Sequence, residues 1–367
     1  MNKISELKAM IGQTFTWNKA RLDCFVRMLL ALFSVRTVNL SEIAVAFASR
    51  AEISSRYKRL QRFFAQFKFD YTQVAGWIFQ LFFSKNKSYY LTIDRTNWYW
   101  GKSKINIFVL GIAYEGRLSI PLFWRALPKA GNTHLHERQA LLTQFITRFP
   151  EVNVAGLLAD REFGSGEFFE WLNAQKIPFY IRIKEGSMLR IKKKKWVPAK
   201  KLFKTLQLKY TAYPMALWVF GQKLYLAASR SEKGELLLVA TNAKPDKAIA
   251  IYLRRWEIEN LFQSLKSRGF RFEETHLTAM ERIEKLMTLL AIGFCWAHKI
   301  GEWRATLKPI AFKKHLNNFR LQNNFFRYGF DFIRDLILNP YNKISHFRRC
   351  LFPFANLSLQ PGADSLF

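Results

Sequence analysis

The chain has 367 residues, half of them hydrophobic, and carries 58 lysines and arginines against 27 aspartates and glutamates, a net charge of +31. With 35 phenylalanines it is no disordered polycation, and its length is enough for two or three domains with real cores. The charge points to a polyanionic partner, nucleic acid first and an anionic membrane surface second, while no apolar run reaches the roughly 18–20 residues of a membrane span.

The longest apolar candidate, around Leu286 to Ala297, is too short, and the opening MNKISELKAM lacks the apolar core of a signal peptide. Cys24, Cys295 and Cys350 are scattered with no CxxC, which indicates neither a disulfide framework nor a zinc site. The chain reads as intracellular.

Residues 1–86 read as helical. A periodic apolar segment, ARLDCFVRMLLALFSV, precedes a helix opened by Ser41, a break near Ala51, and a second helix from about Ser54. That second helix carries Arg56, Lys58, Arg59 and Arg62 beside Tyr57, Leu60, Phe63 and Phe64. Two short helices with a basic second member fit a helix-turn-helix DNA reader, and equally plain bundle packing. The pattern then turns to strands: SYYLTIDRTNWYWG, INIFVLGIAYEG and RLSIPLFWRAL, separated by glycine-containing turns. A helix (HLHERQALLTQFITRF), a buried strand ending at Asp160 (VNVAGLLAD), a helix (GEFFEWLNAQK) and a strand (IPFYIRIK) come next. The order β-β-β-α-β-α-β predicts an α/β fold with a mixed five-stranded sheet covered by helices on both faces. Residues 186–235, strand-rich and basic, read as a β insertion; 87–185 and 236–300 form the core domain, and 301–367 a helical C-terminal region. His134 and His136 precede a helix with no third ligand in view, so they read as surface or cap residues.

The segment YLRRWEIENLFQSLKSRGF, 252–270, predicts an amphipathic helix. At about 100° per residue, Tyr252, Arg255, Glu259 and Lys266 fall within roughly 60° of one another, beside an apolar stripe of Ile251, Ile258, Leu261, Phe262 and Leu265. Glu257 points elsewhere, so a glutamate doing chemistry with the tyrosine and arginine is Glu259. On geometry alone the edge also fits a solvated face with i,i+4 pairing.

Asp94 stands mid-strand among apolar residues, where a carboxylate is costly unless paired or metal-bound. Asp160 closes a second apolar strand at its carboxyl end, where open α/β sheets place ligands. Each aspartate alone fits a strand-end cap or a salt bridge. Together with a glutamate on a later helix, they resemble the layout of ribonuclease-H-like nucleases. There the first and fourth strands are neighbours, and the three acids hold two Mg²⁺ or Mn²⁺ ions for in-line displacement at phosphorus.

Tyr252, Arg255, Glu259 and Lys266 also match, with its gaps, the Tyr-x2-Arg-x3-Glu-x6-Lys signature of the DDE transposases of bacterial insertion sequences, family four. LLADREF resembles that family's second-aspartate segment, giving Asp160, Arg161 and Glu162, and LTIDRTNW its first, giving Asp94. The resemblance covers roughly 90–270 and implies a ribonuclease-H-like core with a β insertion before the catalytic glutamate helix. It implies that Asp94, Asp160 and Glu259 are catalytic and hold two Mg²⁺ or Mn²⁺ ions, and that Tyr252, Arg255 and Lys266 contact the DNA backbone. Trp256 is close enough to that edge to stack on a base, or to pack in the core. Some relatives park a flipped base on a tryptophan, for which Trp218 in the insertion is the candidate, although a strand tryptophan is also an ordinary core residue. Arg161 and the basic residues Arg56, Lys58, Arg59 and Arg62 are further expected DNA contacts.

The resemblance therefore implies a cut-and-paste transposase. It would bind the terminal inverted repeats of its element, pair two ends as a homodimer, cleave and join 3′-hydroxyls to target DNA, and work in the bacterial cytoplasm at the nucleoid. A structure-selective Mg²⁺-dependent nuclease without strand transfer, and a non-catalytic DNA-binding protein, are the alternatives.

Overall fold

The computed structural model describes residues 3–192, 195–204, 211–212, 215–231, 234–315, 318–339 and 344–355. They form two compact units: one from the chain up to Phe83, Asn97–Ile105 and the chain from Phe262 onward, the other from Ser84–Thr96 and Asn106–Leu261. No single helix among the described residues is long and apolar enough to cross a membrane.

The first unit opens with helices α1 (Lys3–Thr14), α2 (Lys19–Val35), α3 (Leu40–Ala46), α4 (Ile53–Gln66) and α5 (Tyr71–Phe82). Asn18, Asn39 and Asp70 cap α2, α3 and α5, each side chain accepting a backbone N–H of the first turn that has no partner inside its helix. The turn between α3 and α4 is where the sequence places its break, and α4 buries Leu60, Phe63 and Phe64.

The second unit is built on a sheet. Strands β1 (Ser88–Trp100), β2 (Ser103–Tyr114) and β3 (Leu118–Leu127) come first, then helix α6 (Leu135–Arg148), β4 (Asn153–Ala159), α7 (Gly166–Ala174) and β5 (Phe179–Arg182). This is the expected β-β-β-α-β-α-β order. The spatial order is β3-β2-β1-β4-β5, with β1–β4 and β4–β5 parallel and β2–β3 antiparallel.

The sheet does not stop at five strands. It goes on with β6 (Met188–Lys192), β7 (Lys195–Pro198), the short helix α8 (Ala199–Leu202), β8 (Thr211–Ala212), β9 (Leu217–Val219), β10 (Gln222–Arg230) and β11 (Leu236–Thr241). β11 pairs antiparallel with β5 (Val239 opposite Arg182), and the path continues through β10, β9, β6 and β7 to ten strands, with β8 paired on β10 as an eleventh. The expected five-stranded sheet is corrected accordingly. Left alone, β5 would expose a row of unpaired backbone groups, and the apolar run of β11 covers them.

Helices α9 (Ala248–Leu253) and α10 (Trp256–Leu265) come after β11. Ala248, Ile249 and Tyr252 of α9 pack with Leu158, Tyr180, Ala227 and Val239 of four neighbouring strands, which seats the helix on the sheet. The remaining elements belong to the first unit: α11 (Met280–Leu307), a hairpin of β12 (Phe312–His315) and β13 (Asn318–Leu321), α12 (Phe325–Leu338) and α13 (Ile344–Arg349). Among its described residues the C-terminal stretch is therefore mainly helical, with one hairpin. α11 and α12 cross closely because Gly301 and Gly329 stand at the contact, where an added Cβ would fall 1.8 Å from Phe325 O and 1.9 Å from Ala297 O.

Candidate active site

β1 runs through the middle of the sheet with Leu91 and Ile93 fully buried and Thr92 bonded to Ser119 at 2.7 Å. Its parallel register with β4 ends on Ile93 opposite Ala159. The next residues on the two strands are Asp94 and Asp160, so the aspartates emerge side by side at the carboxyl edge, their backbones about one strand spacing, roughly 5 Å, apart. The apolar runs before each fix this: a slip of one residue would turn both sets of side chains to the wrong face.

The helix expected over 252–270 is interrupted and stops at Leu265. Arg254 and Arg255 form a turn between α9 and α10, held by tight i→i−3 bonds: Arg255 N to Tyr252 O at 2.8 Å, Glu257 N to Arg254 O at 3.0 Å, and Ile258 N to Arg255 O at 3.1 Å. Two demands meet here. α9 must seat Tyr252 on the sheet, while the next segment must bury Ile258 and Leu261. The tightened turn re-aims the chain between them.

That turn brings the polar residues together. Arg255, 4% exposed, donates from Nη2 to Glu259 Oε1 at 2.9 Å, from Nη1 to Asp94 Oδ2 at a longer 3.4 Å, and from Nε to the Tyr252 hydroxyl at 3.1 Å. The Tyr252 hydroxyl in turn donates to Asp160 Oδ1 at 3.4 Å. One guanidinium and one phenol thus link all three acids that the sequence singles out. Burial pushes the Asp94 carboxyl up to about 7, with the negative charges of Glu162 and Asp160 adding to it and Arg255 opposing. Burial likewise lifts the Tyr252 phenol to about 12, so it stays protonated and able to donate. Burial acts to lower the Arg255 pKa, but Tyr252, Asp94 and Glu259 outweigh it, and the guanidinium is held above its ordinary value.

The expected DNA contacts are dispersed. Tyr252, at 2% exposure, and Arg255 face the acids. Trp256 is on the surface, 54% exposed, with the Arg255 guanidinium 5.0 Å from its ring centroid. Trp218 is 41% exposed on β9 under the Arg190 guanidinium at 4.6 Å, so neither tryptophan is a core residue. Arg161 is exposed just after Asp160. Lys266 belongs to the other unit, where it pairs with Glu273 at 2.7 Å. On α4, Arg59 is bonded to Asp23 at 2.9 Å and Arg56 to Ala51 O at 2.7 Å, while Lys58 and Arg62 are exposed. His134 is the N-cap of α6, its backbone N–H donating to Glu137 at 2.6 Å.

Two residues beside the acids carry more than their sequence suggests. Arg95, directly after Asp94, forms a two-pronged pair with Glu162, Nε to Oε1 and Nη2 to Oε2, each at 2.6 Å. The signal available in sequence was an arginine inside a strand whose neighbours are apolar, since such a charge needs a partner.

Among the described residues no three His, Cys, Asp or Glu side chains stand together as a ready-made ion cage. Asp94 and Glu259 meet at Arg255 instead, and Asp160 joins them through the Tyr252 hydroxyl. Their donor set is nonetheless all oxygen and all carboxylate, the kind a hard divalent cation takes, and Arg255 already places positive charge against two of them. In donor chemistry the residues present fit a hard divalent cation.

A sequence profile described as "Transposase DDE domain" matches residues 86–296. No curated protein matches the chain. The matched span contains β1 to β11 and all three acids, and the chain belongs to the transposase DDE family.

Proposed function

We propose that this DDE transposase is a cut-and-paste enzyme. It binds the terminal inverted repeats of its own element, pairs two ends through a homodimer, hydrolyses a phosphodiester at each, and joins the freed 3′-hydroxyls to target DNA. Asp94, Asp160 and Glu259 would hold two Mg²⁺ or Mn²⁺ ions. When bound, such ions activate the attacking oxygen and stabilise the leaving one. What supports this most is the register that sets Asp94 beside Asp160, together with the Arg255 bridge from Asp94 to Glu259.

The chain's own residues do the rest. Arg255 offsets the mutual repulsion of the acids, and Tyr252 orients Asp160 through its hydroxyl. Trp256 and Trp218 present flat faces to unpaired bases, and Arg161, Lys266, Lys58 and Arg62 supply cations for backbone phosphates. Arg56 and Arg59 shape the helix pair that presents the last two.

The test is cleavage of DNA carrying the element ends. Asp94→Asn, Asp160→Asn and Glu259→Gln should each lower cleavage by at least about 10³-fold while leaving end binding nearly intact. Full cleavage by any one of them removes that residue from the site. Pre-cut ends incubated with target DNA and Mg²⁺ should give joined products; hydrolysis without joining would reduce the activity to that of a nuclease.

A further inference from the structure

We infer that Arg95 and Glu162 are positioning residues that set the spacing between Asp94 and Asp160, and with it the affinity of the acids for a divalent cation. The inference rests on the proposed role of the three carboxylates as metal ligands.

Asp94 stands within β1, which runs on to Trp100, and Asp160 directly follows the end of β4; the β1–β4 ladder stops at Ile93 and Ala159, before either acid. Something beyond the β1–β4 hydrogen bonds must fix the gap between them. Arg95 supplies it from the β1 side. Its backbone N–H donates to Asp94 Oδ1 at 2.7 Å, which orients that carboxylate. All five N–H donors of its guanidinium are engaged. Nε and one Nη2 hydrogen take Glu162, and Nη2 also reaches Asn132 Oδ1 at 3.3 Å. Nη1 donates to Gly131 O at 2.6 Å and to Asn106 Oδ1 at 3.3 Å.

Glu162 lies in the single 3-10 turn Arg161–Phe163 that begins directly after Asp160. The opposite side of that turn is also gripped. Buried Arg138 of α6 donates to the carbonyls of Glu162 at 3.2 Å and Phe163 at 3.3 Å, lies over the Phe163 and Phe168 rings, and is itself held by Thr133 Oγ1 at 2.7 Å. Asp160 is therefore anchored through a turn with an arginine on either side. The two-pronged Arg95–Glu162 pair is the link from that turn to the strand bearing Asp94. A planar fork fixes both distance and angle, which a lysine ammonium cannot do.

Charge-conserving variants isolate this role, because they leave the electrostatic attraction for a cation unchanged. Mn²⁺ affinity would be measured by titration calorimetry on the full chain for Arg95→Lys, Glu162→Asp, the double variant and Asp94→Asn, with each variant's folded fraction read from thermal unfolding. Each single substitution should weaken Mn²⁺ binding about tenfold or more, as outer-shell changes at metal sites do. The double variant should lose no more than the worse single one, since the pair acts as a unit. Affinities within about twofold of the parent in folded protein, or losses that multiply in the double variant, would overturn the inference and leave a merely structural ion pair. If Asp94→Asn binds Mn²⁺ like the parent, the carboxylate reading falls and the clamp with it. If only Asp94→Asn weakens binding, the clamp alone falls.

Discussion

Both units bury charge, but they pair it differently. In the helical unit the long helix α11 pairs charge between its own neighbours: Lys285 with Glu281 at 2.8 Å and Lys299 with Glu302 at 2.8 Å, with His298 Nε2 3.2 Å from Glu302. Around the two aspartates of the sheet unit the partners are instead far apart in the chain: Arg255 reaches Asp94, Tyr252 reaches Asp160 and Arg95 reaches Glu162. Local pairs arise from helix spacing and add stability. Distant pairs must be assembled by the fold, and what they assemble is a geometry. Breaking the first kind should cost stability alone; breaking the second should cost function at least as much.

The largest effect expected is at Arg255. Arg255→Ala leaves Asp94 and Glu259 without their shared cation, which should destabilise the metal-free sheet unit by about 3 kcal/mol, at the low end of losses from broken buried pairs because both acids keep some exposure. Millimolar Mn²⁺ should restore much of this in denaturant melts, since a divalent ion replaces the lost charge. A variant as stable as the parent without metal would mean that the acids do not need the guanidinium.

Next is the close crossing in the helical unit. Gly329→Ala drives a methyl into the Ala297 carbonyl, and the backbone must move; a loss of about 3 kcal/mol is expected in chemical denaturation. Mn²⁺ affinity should stay at the parent value. A matching fall in metal affinity would show that the two units are not separable in the way their charge pairs suggest.

An effect that reaches the same size only above pH 4.5 should track pH. Burial works to raise Glu302, but His298 and Lys299 outweigh it and hold its carboxyl down to about 2, against an ordinary value of 4.5. A depressed carboxyl contributes stability above its unfolded pKa and loses it as the proton returns. The contribution, up to about 3 kcal/mol, should be complete above pH 4.5 and disappear as pH falls toward 2. Glu302→Gln should flatten that part of the pH–stability curve; an unchanged slope would remove the pair as its source.

How far each unit could be read in advance divides along the same line. Apolar runs bounded by turns gave the order of elements along the chain and set Asp94 and Asp160 on its first and fourth strands, because burial and period act locally; that those two strands are neighbours was implied only by the ribonuclease-H-like resemblance. The pairing of β11 with β5 was not legible, since pairing of distant strands depends on register that no single segment carries. The single helix over 252–270 failed for a related reason: wheel geometry assumes one axis, and the demand to seat Tyr252 on the sheet and Ile258 in the core interrupts it. The role of Arg95 was not legible, because its five acceptor atoms come from four separate residues elsewhere in the chain.

The smallest stability effect, and the one that most directly tests the basic helix, is at the exposed cations of α4. Lys58 and Arg62 are exposed, whereas Arg59 is held by Asp23 and stacks 5.4 Å from the Phe47 ring. Lys58→Ala and Arg62→Ala should change stability by less than about 0.5 kcal/mol, while Arg59→Ala should cost more because it uncovers Asp23 and Phe47. On DNA the ranking should reverse. Each residue that neutralises a phosphate contributes roughly one unit to the slope of log affinity against log salt, so each exposed-cation variant should bind several-fold more weakly with a slope shallower by about one. Arg59→Ala, measured on its folded fraction, should leave the slope unchanged. If Lys58→Ala and Arg62→Ala keep the parent slope, α4 is a packing helix and the polyanion is held elsewhere on the +31 chain.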